Sequence, residues 1–358
     1  MKIVTIVGAR PQFIKASMGC RAIRKYHNEI LVHTGQHFDD NMSKIFFEEL
    51  GIPSPDYNLG ISGGTHAEMT AKMLVEIEKV LISEKPDAVL VYGDTNSTLS
   101  SALASAKLHI PVFHVEAGNR LGDLYNPEEI NRIVTDHLSE LKFAATEIAY
   151  KNLCSENLST NSYIVGNIMY DAFLYFTNNN PTKINITDLN GNKIDIPKEY
   201  YYLTCHREEN TRDDNVLTEI LLAMNSLDYK TIYPVHPRNR ERAKRICDEN
   251  NLTSITLTNP VGYLESINLT KSAKKIVTDS GGLQCEAFFA QVQCVTVYEK
   301  ECWPETMVEN RNQLAKPDKN DIISKLSKKQ SIDINYKPFG DGTAAIKIVD
   351  EINKWGGG

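Results

Sequence analysis

Acidic side chains are concentrated in one stretch of this sequence, HVEAGNRLGDLYNPEEINR at residues 114–132. The carboxylates in it are those of Glu116, Asp123, Glu128 and Glu129. Acids this close together face water, bind a metal ion, or exchange protons with a substrate. Glu116 follows an apolar run that predicts a buried strand, where a carboxylate needs a partner or acquires a raised pKa, and a raised pKa suits proton transfer.

Other acids of this chain have structural alternatives. Asp94, in YGDTNST, stands at a predicted strand tip, where an aspartate is either a helix N-cap or a catalytic group. Glu128 and Glu129 fall in the first turn of a helix that begins at Pro127, where acids interact favourably with the helix dipole. We therefore expect at least one of these two glutamates to be structural, and Asp123 to lie in an ordinary loop.

A phosphate-binding turn is the second chemical feature. In TDSGGLQCEA, residues Ser280, Gly281 and Gly282 follow a predicted strand and open a helix, whose free N–H groups suit a phosphate or diphosphate. Glu286 lies one helical turn further on, where its carboxylate can accept hydrogen bonds from ribose hydroxyls. The alternative is a tight turn capped by Asp279 or Ser280.

Cations and histidines also stand at predicted strand ends. Those in the segments GARPQFIK, CHREEN and VHPR are Arg10, Lys15, His206, His236 and Arg238. The cations could meet an anion or face solvent, and the histidines could titrate near neutrality or hydrogen-bond in the core. GARPQFIK has neither the GxGxxG fingerprint nor a Walker lysine pattern, which disfavours a P-loop and a standard dinucleotide site.

Several function classes are disfavoured by the sequence. The sequence lacks an HExxH-like cluster, which disfavours a metal site, and it lacks a GxSxG elbow, which disfavours a serine hydrolase. The net charge of −7 provides no basic surplus for nucleic acid. The seven scattered cysteines suggest reduced thiols rather than a disulfide framework. Without a secretory leader or a long apolar run, we expect a soluble cytoplasmic protein with no membrane partner.

The elements that must position these residues alternate between strands and helices. Apolar runs such as KIVTIVG and DAVLVYG read as buried parallel strands, and amphipathic segments lie between them. The pattern breaks in a polar connection at residues 175–200 and then restarts, which predicts two Rossmann-like α/β domains. Ligands of such sheets bind at the carboxyl ends of strands. Seven loops at predicted strand ends could therefore converge on one cleft between the domains: GARPQFIK, HTGQH, GDTNST, HVEAGNR to PEEINR, CHREEN, VHPR and DSGGLQCEA.

Taken together, these segments resemble the UDP-N-acetylglucosamine 2-epimerase family. The motifs that carry the resemblance, in family order from Lys2 to about Trp355, are GARPQFIK, TGQH, GDTNST, HVEAGNR, PEEINR, CHREEN, HPR, DSGGLQCEA and PFGDG. The resemblance implies a glycosyltransferase-B-type fold, a homodimer, a UDP-sugar substrate and no cofactor or metal. The implied domains are residues 1–172 and 173–340, with a final helix at 341–355 that returns to the first domain.

The resemblance also assigns the site residues. It implies that Asp94, Glu116 and Glu128 surround the sugar and that His206 is a further catalytic group. Arg10 and Lys15 would stabilise the departing phosphates. The remaining residues implied in substrate binding are Ser280, Gly281, Gly282, Glu286, His236 and Arg238. The sequence leaves open which acid is the base; we expect Asp94, with Glu116 and Glu128 on the opposite face of the sugar.

This chain departs from the family pattern at several positions, where Gln12, Asn119, Tyr298 and Trp303 replace the usual residues. The segment that begins TGQHFDDNM differs from the loop associated with allosteric binding of UDP-N-acetylglucosamine. It is more similar to the corresponding segment of the subgroup acting on UDP-2,3-diacetamido-glucuronate. The expected activity is non-hydrolysing epimerisation at C2 for surface polysaccharide synthesis. Alternatives are the diacetamido-glucuronate reaction, a hydrolysing epimerase, a glycosyltransferase, and a sugar-nucleotide-binding protein without catalysis.

Overall fold

The computed structural model of the chain describes residues 1–36, 47–179, 184–300 and 303–357. Two compact units are present, one formed by Met1–Leu174 together with Lys337–Gly358 and the other by Tyr175–Tyr336. Parts of TGQHFDDNM, of the polar connection and of the segment before Trp303 lie outside the described residues. In the described ranges, no helix combines the length and apolarity needed to cross a bilayer.

The first unit contains a seven-stranded parallel sheet in the order β3-β2-β1-β4-β5-β6-β7. Its strands are β1 (Lys2–Val7), β2 (Asn28–His33), β3 (Tyr57–Asn58), β4 (Ala88–Tyr92), β5 (Val112–Ala117), β6 (Leu141–Ala144) and β7 (Ser162–Ile164). The central strand β4 is buried along its whole length, as expected for an apolar strand covered on both faces.

Helices follow most of these strands. They are α1 (Arg10–Ile23), α2 (His66–Glu84), α3 (Asn96–Lys107), α4 (Pro127–Leu138), α5 (Glu147–Ser155), α6 (Ile168–Asn179) and, from the end of the chain, α13 (Ala344–Gly356). The last helix packs against α1. Its first turn is capped from a distance, because the Asp171 carboxylate accepts the N–H groups of Ala344 at 3.1 Å and Ala345 at 2.8 Å.

The second unit contains a six-stranded parallel sheet in the order β10-β9-β8-β11-β12-β13. Its strands are β8 (Tyr201–Thr204), β9 (Thr231–Pro234), β10 (Ile255–Thr258), β11 (Lys275–Thr278), β12 (Cys294–Val297) and β13 (Asn312–Ala315). Its helices are α7 (Glu208–Thr211), α8 (Asp214–Asn225), α9 (Arg240–Glu249), α10 (Tyr263–Ser272), α11 (Gly281–Phe289) and α12 (Lys319–Ser327). Both units are therefore Rossmann-like, as the sequence predicted.

The strand orders locate where each sheet can bind a ligand. In both sheets the winding direction reverses once, between β1 and β4 in the first and between β8 and β11 in the second. Ligands of open α/β sheets bind outside the carboxyl ends of the strands at such a switch point. The loops that follow these four strands begin at Gly8, Gly93, Cys205 and Asp279.

Candidate functional site

Asp94 lies at the switch point of the first sheet, directly after β4. Its carboxylate Oδ2 is 2.5 Å from Nη2 of Arg132, and its carbonyl accepts the Nδ2–H of Asn131 at 2.8 Å. The following helix α3 is capped by Thr95, whose side chain accepts the N–H of Thr98, so the N-cap alternative for Asp94 does not apply. Asp94 is thus held by two residues of α4 and stays partly exposed.

Glu116 occupies a strained position at the end of β5. Its φ of 75° is left-handed, and the pairing of β5 with β6 shifts register between Val115 and Ala117. Its Oε1 is 2.6 Å from Nζ of Lys15, and both side chains are largely buried. Within the part of the chain that the structure describes, its Oε2 has no hydrogen-bond partner. That oxygen can therefore accept a hydrogen bond from a ligand.

The two glutamates of α4 have different surroundings. Glu128 is exposed in the first turn, while Asn126 caps the helix by accepting its N–H at 2.9 Å. Glu129 is 1% exposed and accepts N–H groups of Leu121 and Gly122, besides pairing with Arg132 at 3.0 Å. Glu129 is therefore structural as expected, although it holds the loop before the helix rather than the helix itself.

The GARPQFIK segment forms the turn after β1 and the start of α1. Arg10 begins the helix, and Lys15 extends from it to Glu116. Gln12 is buried; its Oε1 accepts the N–H groups of Gly8 and Ala9, and its Nε2 donates to the Tyr92 carbonyl at 2.8 Å. The Gln12 amide therefore joins the loop after β1 to the end of β4.

His206 lies at the switch point of the second sheet. Asp279, buried after β11, accepts the backbone N–H groups of His206 and Arg207 through Oδ2, each at 2.8 Å. Its Oδ1 lies 3.2 Å from Nδ1 of the His206 ring. The imidazole is half-exposed beside this buried carboxylate and remains accessible to a ligand.

The glycine turn begins helix α11 as predicted from its spacing. Ser280 is the N-cap, and its side chain accepts the N–H of Leu283. Gly281 and Gly282 form the first turn, where unused backbone N–H groups suit an anion. Glu286 is buried in the next turn, and burial raises its pKa to about 8. Its carboxyl group therefore carries a proton at neutral pH.

His236 and Arg238 follow β9 and are exposed. The Nδ1 of His236 accepts the N–H of Arg238 at 3.3 Å, and the guanidinium of Arg238 donates to the His206 carbonyl at 3.1 Å. The loop after β9 therefore meets the loop after β8. The described residues contain no group of three His, Cys, Asp or Glu side chains arranged to hold a metal ion.

Sequence reasoning missed several residues that shape these loops. Arg132 binds both Asp94 and Glu129, and Arg207 donates to the Asp279 carbonyl at 2.7 Å while its guanidinium lies 4.1 Å from the Tyr298 ring centre. The helical spacing from Glu129 to Arg132 was a usable signal, since residues three apart share a helix face. No sequence signal pointed to the contact between Arg207 and Tyr298.

Acids at one switch point and a glycine turn at the other define the class as an α/β enzyme that acts on a phosphorylated ligand. The family model described as UDP-N-acetylglucosamine 2-epimerase matches residues 21–353. The chain therefore belongs to the UDP-N-acetylglucosamine 2-epimerase family, whose members are isomerases.

Individual relatives match over nearly their whole length. A UDP-N-acetylglucosamine 2-epimerase homolog from Methanococcus maripaludis is 47% identical, over 98% of this chain and 99% of the relative. A UDP-2,3-diacetamido-2,3-dideoxy-D-glucuronate 2-epimerase from Pseudomonas aeruginosa is 43% identical, over 99% of this chain and all of the relative (100%).

Solved structures agree with this assignment. The UDP-GlcNAc 2-epimerase of Methanocaldococcus jannaschii, crystallised with UDP-GlcNAc and UDP, has a TM-score of 0.85 at 39% identity and covers 99% of this chain and 100% of that one. A lipopolysaccharide outer core galactosyltransferase at 14% identity, with a TM-score of 0.55 and coverage of 99% and 100%, shares the fold alone. The predicted glycosyltransferase-B-type fold is confirmed.

Proposed function

We propose that this protein is a non-hydrolysing 2-epimerase that interconverts UDP-N-acetylglucosamine and UDP-N-acetylmannosamine. One observation carries the proposal: Asp94 follows β4 and Glu116 lies at the end of the adjacent strand β5, and each is paired with a cation, Arg132 or Lys15. Acids fixed in this way suit proton transfer at carbon, and the family membership of the chain indicates which carbon.

The chemistry explains why acids and cations are needed together. The C2 proton of an N-acetylhexosamine has no neighbouring ring carbonyl, so its direct removal would give an unstabilised carbanion. In the α-linked gluco sugar, H2 and the C1–O bond are trans-diaxial, so a base can remove H2 while UDP leaves from the other face. UDP then returns to the resulting 2-acetamidoglucal after a proton reaches the opposite face of C2.

The residues of the first unit are assigned to the sugar. Asp94, oriented by Arg132, is the base that removes H2. Glu116 delivers the new proton through its unpartnered Oε2 and is aided by the exposed Glu128. Lys15, now paired with Glu116, and Arg10 at the start of α1 stabilise the charge on the departing diphosphate.

The residues of the second unit are assigned to UDP. The N-terminus of α11 at Ser280, Gly281 and Gly282 binds the diphosphate through backbone N–H groups. Glu286, protonated at neutral pH, binds the ribose hydroxyls. His206, beside the buried Asp279, acts next to the diphosphate, and Arg238 in the loop after β9 adds positive charge on the same side.

A second candidate substrate is UDP-2,3-diacetamido-2,3-dideoxyglucuronate. The relative named for that activity is 43% identical over 99% of this chain. A UDP-N-acetylglucosamine 2-epimerase of Methanocaldococcus jannaschii has the same identity, 43%. Both substrates require the same elimination at C2, so the proposed acids keep their roles. Initial rates on the two substrates under equal conditions decide between them.

Incubation in D2O tests the reaction itself. We expect NMR to show deuterium at C2 of the sugar with UDP still attached. Free hexosamine together with UDP would identify a hydrolysing enzyme. Turnover that requires an acceptor and leaves C2 protiated would identify a glycosyltransferase, and binding without exchange would identify a non-catalytic protein. Each of these outcomes contradicts the proposal.

The variant Glu116→Gln tests the proton donor. We expect C2 deuterium exchange to fall by at least about 100-fold, because general acid–base groups contribute roughly 10²–10⁴-fold. UDP affinity, measured by calorimetry, should stay within about threefold, because Glu116 is assigned to the sugar. Asp123→Asn is the matched control in the same acidic segment and should exchange at nearly the wild-type rate. Rapid exchange in Glu116→Gln would remove Glu116 from the mechanism.

The family resemblance supports three further proposals: that the enzyme is a homodimer, that it works in the cytoplasm, and that its product supplies surface polysaccharide. Light scattering tests the first, with a mass twice the 40.3 kDa of the chain expected. A mass of one chain at micromolar concentration would contradict it.

A further inference from the structure

A buried histidine joins the strands that bear the two proposed catalytic acids. His114 on β5 is 0% exposed. Its Nδ1 lies 2.7 Å from Oδ1 of Asp136, and its Nε2 lies 2.7 Å from the carbonyl oxygen of Gly93. Both partners are acceptors, so the ring donates through both nitrogens and is an imidazolium.

Asp136 continues this connection to a second loop. Its Oδ2 accepts the backbone N–H of Gly118 at 3.0 Å and lies 2.8 Å from Nη1 of Arg120. Arg120 in turn donates two 2.7 Å hydrogen bonds to Glu156. His114, Asp136, Arg120 and Glu156 therefore alternate in charge, two positive and two negative, and run from the buried His114 and Asp136 to the partly exposed Glu156.

The charged groups around this relay, which runs from the Gly93 carbonyl through His114 and Asp136 to the Gly118 N–H, favour an ionised Asp136. Burial by itself would raise the pKa of Asp136, but the charges and hydrogen bonds of His114 and Arg120 hold it below its usual value. Lys142 adds a nearby positive charge, with its ammonium on the carbonyls of Ser139 and Glu140. His137 of α4 lies 3.5 Å from Glu156, the partly exposed partner of Arg120.

Both ends of the relay hold left-handed backbone next to the proposed catalytic acids. Gly93, with φ of 63°, precedes Asp94, and Gly118, with φ of 82°, follows Glu116 by two residues. Glu116 itself has φ of 75°, and a Cβ at Gly118 would stand 2.2 Å from the Ala149 carbonyl. A glutamate persists in this conformation only where the surroundings over-determine it.

We propose that His114 and Asp136 are positioning residues that fix the Gly93 carbonyl and the Gly118 N–H, and through them set the spacing of Asp94 and Glu116. This inference rests on the proposed function, because it assigns a purpose to the two acids. Neither residue touches the substrate in this proposal. Their effect is on the rate of proton transfer at C2, not on binding of UDP.

The variant His114→Asn separates the two hydrogen bonds. The asparagine Nδ2 can replace Nδ1 of the imidazole toward Asp136, but it cannot reach the Gly93 carbonyl. We expect kcat and C2 deuterium exchange to fall by about 10–100-fold, since small displacements of catalytic groups cost up to about 10²-fold. KM and UDP affinity should stay within about threefold, a separation that a general loss of folding would not produce.

Val112→Ala is the control on the same strand. Val112 is 1% exposed and packs in the apolar core of the first unit, so the variant loses buried volume without touching the relay. Measured at a temperature where all proteins are folded, it should keep kcat within about threefold. A His114→Asn enzyme with kcat within threefold of wild type, or with a loss no larger than that of Val112→Ala, would overturn the proposal.

A measurement on the wild-type protein covers the case in which His114→Asn does not fold. In protein labelled with ¹⁵N-histidine, the two ring nitrogens of His114 should both carry hydrogen at pH 7, with slow exchange against solvent. A ring with one bare nitrogen would overturn the relay. Absence of C2 exchange in the wild type would overturn the proposed function instead, and the NMR result would still decide the state of the relay.

Discussion

The side-chain amide of Gln12 connects three segments of the first unit. Its oxygen accepts from Gly8 and Ala9, while its nitrogen donates to the Tyr92 carbonyl and, at 3.0 Å, to Oγ1 of Thr98. A carboxylate of the same shape could keep the first two hydrogen bonds and would lose both donors. The uncharged amide is thus matched to an acceptor on β4 in this chain.

Gln12→Glu should therefore destabilise the protein at neutral pH. An ionised carboxylate would face the Tyr92 carbonyl, and a buried unsatisfied acceptor costs about 1–3 kcal/mol. The site raises the pKa of the introduced acid, so the penalty should be absent below the pKa of the unfolded state and grow as pH rises. Urea unfolding at pH 5 and pH 7.5 measures it.

The exposed Gln291 offers a matched control for that substitution. Gln291→Glu introduces the same charge without buried partners, and its effect should stay within about 0.5 kcal/mol. Equal unfolding curves for the two variants at both pH values would show that the Gln12 amide is not needed.

At the scale of elements, apolar runs identified most of the strands and missed four. The missed strands are Tyr57–Asn58, Leu141–Ala144, Ser162–Ile164 and Asn312–Ala315. They are two to four residues long, and three carry buried polar side chains, among them Lys142, Ser162 and Asn312. Periodicity cannot mark so short a strand, and only the neighbouring strands and carbonyl groups make those polar residues tolerable.

The attachment of the last helix provides a test at this scale. Asp171→Ala leaves the N–H groups of Ala344 and Ala345 without their buried acceptor, and we expect a loss of about 1–3 kcal/mol in the free energy of unfolding. Hydrogen exchange should become faster throughout α13. Asp350→Ala on the exposed side of the same helix is the control, and equal exchange in the two variants would contradict the capping role.

At the scale of the whole molecule, the buried Glu286 makes stability depend on pH. Its pKa is raised by burial to about 8 in the folded protein, so the folded state holds a proton that the unfolded state has released at neutral pH. Its contribution to the free energy of unfolding therefore falls as pH rises from about 4.5 to about 8, with a limiting slope of about 1.4 kcal/mol per pH unit.

Glu286→Gln should remove this dependence, because glutamine keeps the shape and does not titrate. We expect the variant to gain stability relative to wild type as pH increases, with the largest difference near pH 8. Urea unfolding at pH 5.5, 6.5 and 7.5 measures the difference. A constant offset between the two proteins would show that Glu286 is already ionised in the folded state.

The sequence by itself determined two parallel α/β sheets, the family, and the loops in which the site is proposed, because strand periodicity and turn motifs are local in the chain. Only the tertiary structure decided the partners of those loops. Arg132 with Asp94, Lys15 with Glu116, and the relay through His114 are contacts across 18 to 101 residues of sequence. Their energies arise from burial and charge pairing, which exist only after the strands have assembled.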